Sequence, residues 1–96
     1  MEYIVFIHNN TDSVTDSEQW DEFFVTARKS GHFKGGSAIG KGYVVGSKNV
    51  PSITDTVGGY MRFDADTLQE VLDLLDSHPV VINGGTVEVC EMPKTP

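Results

Sequence analysis

Residues 2–8 place Tyr3, Val5 and Ile7 on one alternating face and Ile4 and Phe6 on the other, the second face ending in His8. Apolar residues on both faces predict a strand covered from both sides. After a polar stretch over 9–14 the period lengthens. Trp20, Phe23, Phe24 and Ala27 fall at i, i+3, i+4 and i+7 and predict an amphipathic helix over 17–30. Thr15-Asp16-Ser17-Glu18 fits a capping box, in which the Thr hydroxyl and the Glu carboxylate satisfy free N–H groups at the helix start. Arg28 and Lys29 suit the negative end of the helix dipole, and Gly31 is placed to stop the helix.

The second half repeats the scheme. Residues 33–39 read as a second strand weakened by Gly35-Gly36, a pair that suggests a bulge or a close backbone approach. From Gly40 to Thr56 the pattern dissolves into Gly, Ser, Lys, Asn and Pro around Tyr43-Val44-Val45. That is long for a structureless connection, so a small hairpin or a functional flap is expected there. Alternation returns over 57–64 as a third strand. Asp64 or Asp66 is placed to cap a second helix, whose Leu68, Val71, Leu72 and Leu75 keep helical spacing until Pro79 stops it. After Val80-Val81-Ile82, the turn Asn83-Gly84-Gly85 leads into a last strand over 86–92. The order β-α-β-β-α-β predicts an α+β, ferredoxin-like domain over 2–92 with a four-stranded antiparallel sheet and both helices on one face. Pro93 to Pro96 form a C-terminal tail to which no structure is assigned.

In this arrangement Tyr3, Val5, Ile7, Met61, Phe63, Val87 and Val89 face the helices. Ile4, Phe6, His8, Tyr60, Arg62, Glu88 and Cys90 line the other face, which nothing else in the chain covers. Bare Ile4, Phe6 and Tyr60 predict an interface. A homodimer of two sheets packed face to face would bury them and enclose the polar members of that face in a cleft.

Composition narrows the classes. Ninety-six residues support one core, and 39% hydrophobic against 22% charged residues is globular rather than disordered. A net charge of −7 lacks the basic footprint of nucleic-acid or anionic-membrane binding, so neither partner is expected. The single cysteine, Cys90, cannot form an intrachain disulfide, which points to the cytoplasm. The apolar start at 1–7 is too short and too acidic for a signal peptide or a membrane span. Asp16, Glu18, Asp21, Glu22, Asp66, Glu70, Asp73 and Asp76 locate much of the acidity on the helices.

Three stretches, Gly35-Gly36-Ser37-Ala38-Ile39-Gly40, Ile53-Thr54-Asp55-Thr56-Val57-Gly58-Gly59-Tyr60 and Asn83-Gly84-Gly85-Thr86-Val87-Glu88-Val89, together resemble the YCII-related (DGPF-domain) family over roughly 2–92. The resemblance implies a dimeric α/β barrel of ferredoxin-like protomers. It also implies, for some members, a His–Asp pair with the His on the first helix and the Asp after the second strand, and for one branch dehydrochlorination of chlorinated hydroxyhydroquinones. The matching helix position falls at about Trp20 and the loop position on Gly40-Lys41-Gly42, so neither residue of that pair carries over. Ile53-Thr54-Asp55-Thr56 stands where the name-giving Asp-Gly-Pro-Phe stretch would be.

His8, at a strand end beside the expected cleft, is a candidate general acid or base; the alternative is a histidine bonded to backbone or water. Asp55, in the loop before the third strand, is a second candidate catalytic group, or a turn-former. Tyr60, Arg62 and Glu88 are candidate ligand contacts on the bare face, with Arg62 suited to a carboxylate or phenolate; Arg62 and Glu88 otherwise form a pair that fixes register. His32 and His78 end helices and suit the helix dipole there. The histidines at 8, 32 and 78 have no metal spacing, and Gly35-Gly36, Gly58-Gly59 and Gly84-Gly85 match no phosphate or dinucleotide motif, so no metal or cofactor is expected. Trp20, on the apolar helix face, is expected in the core.

Two functions stay open at this level. One is a cofactor-free small-molecule enzyme of acid–base lyase or isomerase type with its cleft at the dimer barrel. The other is a non-catalytic dimeric module that binds a metabolite or regulates a partner. In both, the expected ligand is an anionic or aromatic small molecule.

Overall fold

The structure, a computed structural model, describes residues 1–95; Pro96, the end of the expected tail, lies outside the described residues. Strands β1 (Glu2–His8), β2 (Phe33–Ala38), β3 (Val57–Asp64) and β4 (Val87–Met92) form one antiparallel sheet in the order β2-β3-β1-β4. Helices α1 (Ser17–Lys29) and α2 (Leu68–Leu75) cover one side, and a short helix α3 (Pro79–Ile82) precedes β4. This is the expected α+β ferredoxin-like fold, and its order follows from two crossovers that each skip one strand position. Among the described residues no helix is long and apolar enough to cross a membrane.

The core forms where the two periods meet. Tyr3, Val5, Met61 and Phe63 from the sheet pack against Phe23 and Ala27 of α1 and Val71 and Leu75 of α2, with Ile7, Val87 and Val89 partly buried beside them. Burial of each large side chain contributes about 1.5–3 kcal/mol, so this layer supplies the main force for folding. The register confirms the two faces: Val5 opposes Met61 and Val89, while Phe6 opposes Tyr60 and Glu88. Ile4, Phe6, Tyr60, Arg62 and Cys90 are only half-buried, because no element among the described residues crosses their face.

Several local expectations shift. The N-cap of α1 is Asp16, paired reciprocally with Gln19, rather than Thr15 with Glu18. Thr15 is taken because its Oγ1 accepts from the Trp20 Nε1–H at 3.1 Å. The second helix is capped by Thr67, not by Asp64 or Asp66. Asp64 instead faces the N-terminal ammonium at 3.6 Å. Pro79 does not end α2, which stops at Leu75; it opens α3 at the first-turn position proline favours. Leu68 and Leu72 are exposed, so the α2 contact rests on Val71 and Leu75.

The glycine pair in β2 does both things expected of it. Gly35, at φ +117°, sits at the bulge that shifts the register between Phe33 and Gly35, whose partners are Phe63 and Arg62. Gly36 lets β2 approach β3: a Cβ there would press on the Tyr60 carbonyl oxygen and lie 2.9 Å from Met61 Cα. The connection from β2 to β3 forms no hairpin. It runs as an extended arm whose ordered feature is a 3-10 turn at Ile53–Asp55, capped by Ser52.

Candidate functional site

A cavity of about 390 Å³ opens between α1 and the β2–β3–β1 end of the sheet. Trp20, Phe24 and Phe33 supply aromatic walls, and Gly36, Gly58 and Gly59 leave the adjoining strands without bulk there. Asn9, Thr11, Thr15 and Ser37 add neutral polar groups, and no Asp, Glu, Lys or Arg lines the cavity. An apolar cavity with a few converging polar groups is the usual form of a small-molecule site. A shallower groove of about 410 Å³ between α2 and β4, lined by Leu72, Leu75, Val81, Val87 and Val89, contains no histidine.

Of the expected site residues, His8 and Tyr60 border this cavity. Both occupy positions of the uncovered face, at the end of the sheet where a register shift between Ile7 and His8 disturbs the ladder. His8 Nε2–H donates to Glu88 Oε1 at 3.1 Å, a bond that in the neutral ring leaves the lone pair on Nδ1. Glu88 lies outside the cavity lining and orients the ring from the far side. Arg62 is not brought to Glu88. The two sit diagonally across β1, and Arg62 Nη2 donates instead to the Lys34 carbonyl at 3.2 Å, which removes the expected register pair. Asp55 is exposed in the 3-10 turn and does not line the cavity.

The other histidines differ in kind. His32 joins β2 to α2, with Nδ1–H donating to the Asp64 carbonyl at 3.0 Å and Nε2 facing Glu70 at 3.0 Å. His78 does not serve the α2 terminus as a cation. Its ring is fully buried and its pKa is lowered from 6.5 to about 4 by desolvation. Nδ1 accepts from the Val80 N–H at 3.1 Å, so the proton sits on Nε2, which has no hydrogen-bond partner among the described residues. The ring instead meets Trp20 edge-on at 5.0 Å and 83°, and Phe23 at 4.8 Å and 64°. Trp20 is therefore held from behind by His78 and at its N–H by Thr15.

Trp20 is the main revision to the site. Helical spacing places it on the apolar stripe, and it is on that stripe, but it walls the cavity instead of filling the core. Periodicity identifies a face and not a depth. A usable signal was present in the two glycine pairs at 35–36 and 58–59: pairing sets Gly36 opposite Met61 and Gly59 opposite Ala38, and Gly36, Gly58 and Gly59 all line the one cavity. Within one chain the enclosed space lies on the helix side of the sheet end. Among the described residues, no three His, Cys, Asp or Glu side chains come together as a metal-binding group.

No protein-family model matches the chain. No curated protein matches its sequence. Among solved structures it is similar to 5-chloro-2-hydroxyhydroquinone dehydrochlorinase from Burkholderia phenoliruptrix, solved in complex with 2,5-dihydroxybenzoquinone. The TM-score is 0.51 at 10% identity, over 99% of this chain and 96% of that one. The likeness is one of fold: that protein is of the dimeric α/β barrel kind, and this chain has the same protomer architecture.

Proposed function

We propose that this protein takes a neutral hydroxylated aromatic ring into the cavity between α1 and the sheet and moves a proton on it through His8. The observation that carries the reading is the cavity lining: aromatic walls, uncharged polar groups, and His8 as the one bordering residue with an imidazole that can accept and return a proton. With Nε2–H held by Glu88, Nδ1 can take a phenolic proton. That transfer breaks the O–H bond and forms an N–H bond; return of the proton to a ring carbon breaks the N–H bond, forms a C–H bond and gives the keto tautomer, a cofactor-free isomerisation. The uncharged lining favours an aromatic ligand over an anionic one. The dimeric α/β barrel likeness supports placing the chain with the YCII-related family and supports a homodimer, and the lone Cys90 supports a reducing, cytoplasmic setting.

A second reading, a non-catalytic binding module, is favoured by one observation. Trp20 stands where the resemblance would put a helix-borne histidine, and no carboxylate lines the cavity.

The probe is 1,2,4-trihydroxybenzene under argon, with binding read from the fluorescence of Trp20, the sole tryptophan, and chemistry from deuterium uptake into the ring by NMR. Saturable quenching with catalysed uptake, slowed by about 10²–10⁴-fold in His8→Ala, is expected for general acid–base action. Saturable quenching without catalysed uptake selects the binding module. Quenching that stays linear in probe concentration refutes the cavity as the site.

A further inference from the structure

The arm between β2 and β3 is unlike the rest of the surface. Tyr43, Val44, Val45, Val50 and Ile53 are five of the eleven exposed large apolar side chains among the described residues, with Tyr43 80% and Val45 94% exposed. Folded back on its own protomer, such a segment would hide them. It does not. The Cα radius of gyration is 14.3 Å, against about 12.5 Å expected for a compact domain of this length. The base of the arm is tied down all the same. Ser52 Oγ and Thr54 Oγ1 are 2.8 Å apart, and Gly42 lies so close that a Cβ there would meet both side chains.

The charge of the chain is segregated around the same segment. Residues 23–54 hold five of the seven basic residues and none of the fourteen acidic ones, a charge of +5 against −12 on the remainder. Within the arm lie Lys41 and Lys48. The bare sheet face offers the complement: Ile4, Phe6, Tyr60 and Cys90 are half-buried apolar surface, and Glu2, Asp64 and Glu88 outnumber Arg62 on the same face. The cationic β2 edge and the acidic β4 edge are opposite sides of one sheet.

We propose that the arm docks on a second copy of this chain, with each protomer laying Tyr43, Val44 and Val45 across the β1–β4 side of its partner's bare face. An isologous pair related by a two-fold axis along the strands puts the β2 edge of one sheet over the β4 edge of the other. Opposite charges then meet twice. An axis across the strands would set β2 over β2 and bring like charges together. The occupant is thus a second copy and its orientation is specified; the inference rests on the homodimer proposed above.

Two measurements separate the inference from its premise. Sedimentation equilibrium compares the natural chain with Val45→Asp and with Lys41→Glu/Lys48→Glu, changes at surface positions outside the core. Second, Val45→Cys in a Cys90→Ser background, labelled with benzophenone maleimide and mixed with isotopically heavy protein, is photolysed and the crosslinked peptides are mapped. Expected are a dimer weakened about ten-fold or more in both arm variants and heavy–light crosslinks to β1 or β4. A natural chain that stays monomeric at high micromolar concentration overturns both dimer and arm docking. A dimer with unchanged affinity in the variants, or with crosslinks confined to single chains or mapping to the helices, overturns the arm docking and leaves the dimer standing.

Discussion

His78 makes the acid sensitivity of this fold calculable. Its imidazole is fully buried between Trp20 and Phe23, and its pKa falls from 6.5 to about 4 because burial disfavours the charged ring. Between those two values the unfolded chain holds a proton that the folded chain does not. Stability therefore rises with pH across the interval, is fully present above about 6.5, and is lost as pH falls from 6.5 through 4. The interval corresponds to about 3 kcal/mol, a large share of the roughly 5–15 kcal/mol that stabilises a small domain. Protonation also removes the Nδ1 lone pair that caps α3 through Val80, so acid loosens the turn behind the cavity wall. The test is urea unfolding followed by Trp20 fluorescence between about pH 7 and about pH 4.5, comparing the natural chain with His78→Asn. Asn keeps a side-chain acceptor for the cap but has no titrating ring. Its baseline stability drops for lack of the ring contacts; the readout is the slope. The natural chain should lose about 2–3 kcal/mol more than the variant over this range. Equal slopes refute the argument, as does a His78 Cε1–H resonance in the natural chain that titrates near 6.5.

Two further predictions concern stability. Gly36→Ala places a methyl against the Tyr60 carbonyl and Met61 Cα, backbone that cannot swing aside, and should cost about 2 kcal/mol or more in urea unfolding. Asp16→Ala removes the helix cap and should cost about 1 kcal/mol, whereas Thr15→Ala should chiefly change the Trp20 emission spectrum; the reverse pattern would restore Thr15 as the cap.

Much of the fold is legible because both halves of the chain state their period clearly. Tyr3, Val5 and Ile7 against Ile4 and Phe6 assign two faces, and Trp20 to Ala27 assigns a helix stripe, without any knowledge of partners. The caps were less legible for a specific reason. Thr15, Asp16, Thr67, Asp64 and Asp66 are all competent caps by residue type, and the exact helix start decides among them: Ser17 follows Asp16, Leu68 follows Thr67, and Asp64 still belongs to β3. The site was legible only in part. His8 and Glu88 share a face by alternation, and the structure joins them at 3.1 Å; Arg62 and Glu88 share that face too, yet register sets them diagonally, so Arg62 turns to Lys34 instead.

What the sequence determined by itself was local and periodic: which residues alternate, which recur with the helical turn, where glycine and proline interrupt, and that one sheet face has nothing in the chain to cover it. What tertiary structure decided was depth and adjacency. Trp20 walls a cavity because α1 sets it over strands from distant parts of the chain, whose Gly36, Gly58 and Gly59 share its lining, and His78 lost its charge because Trp20 and Phe23 of α1 closed over it. Both outcomes depend on which distant groups share a small volume from which water is excluded. Residue spacing carries no information about that volume until the strands have paired.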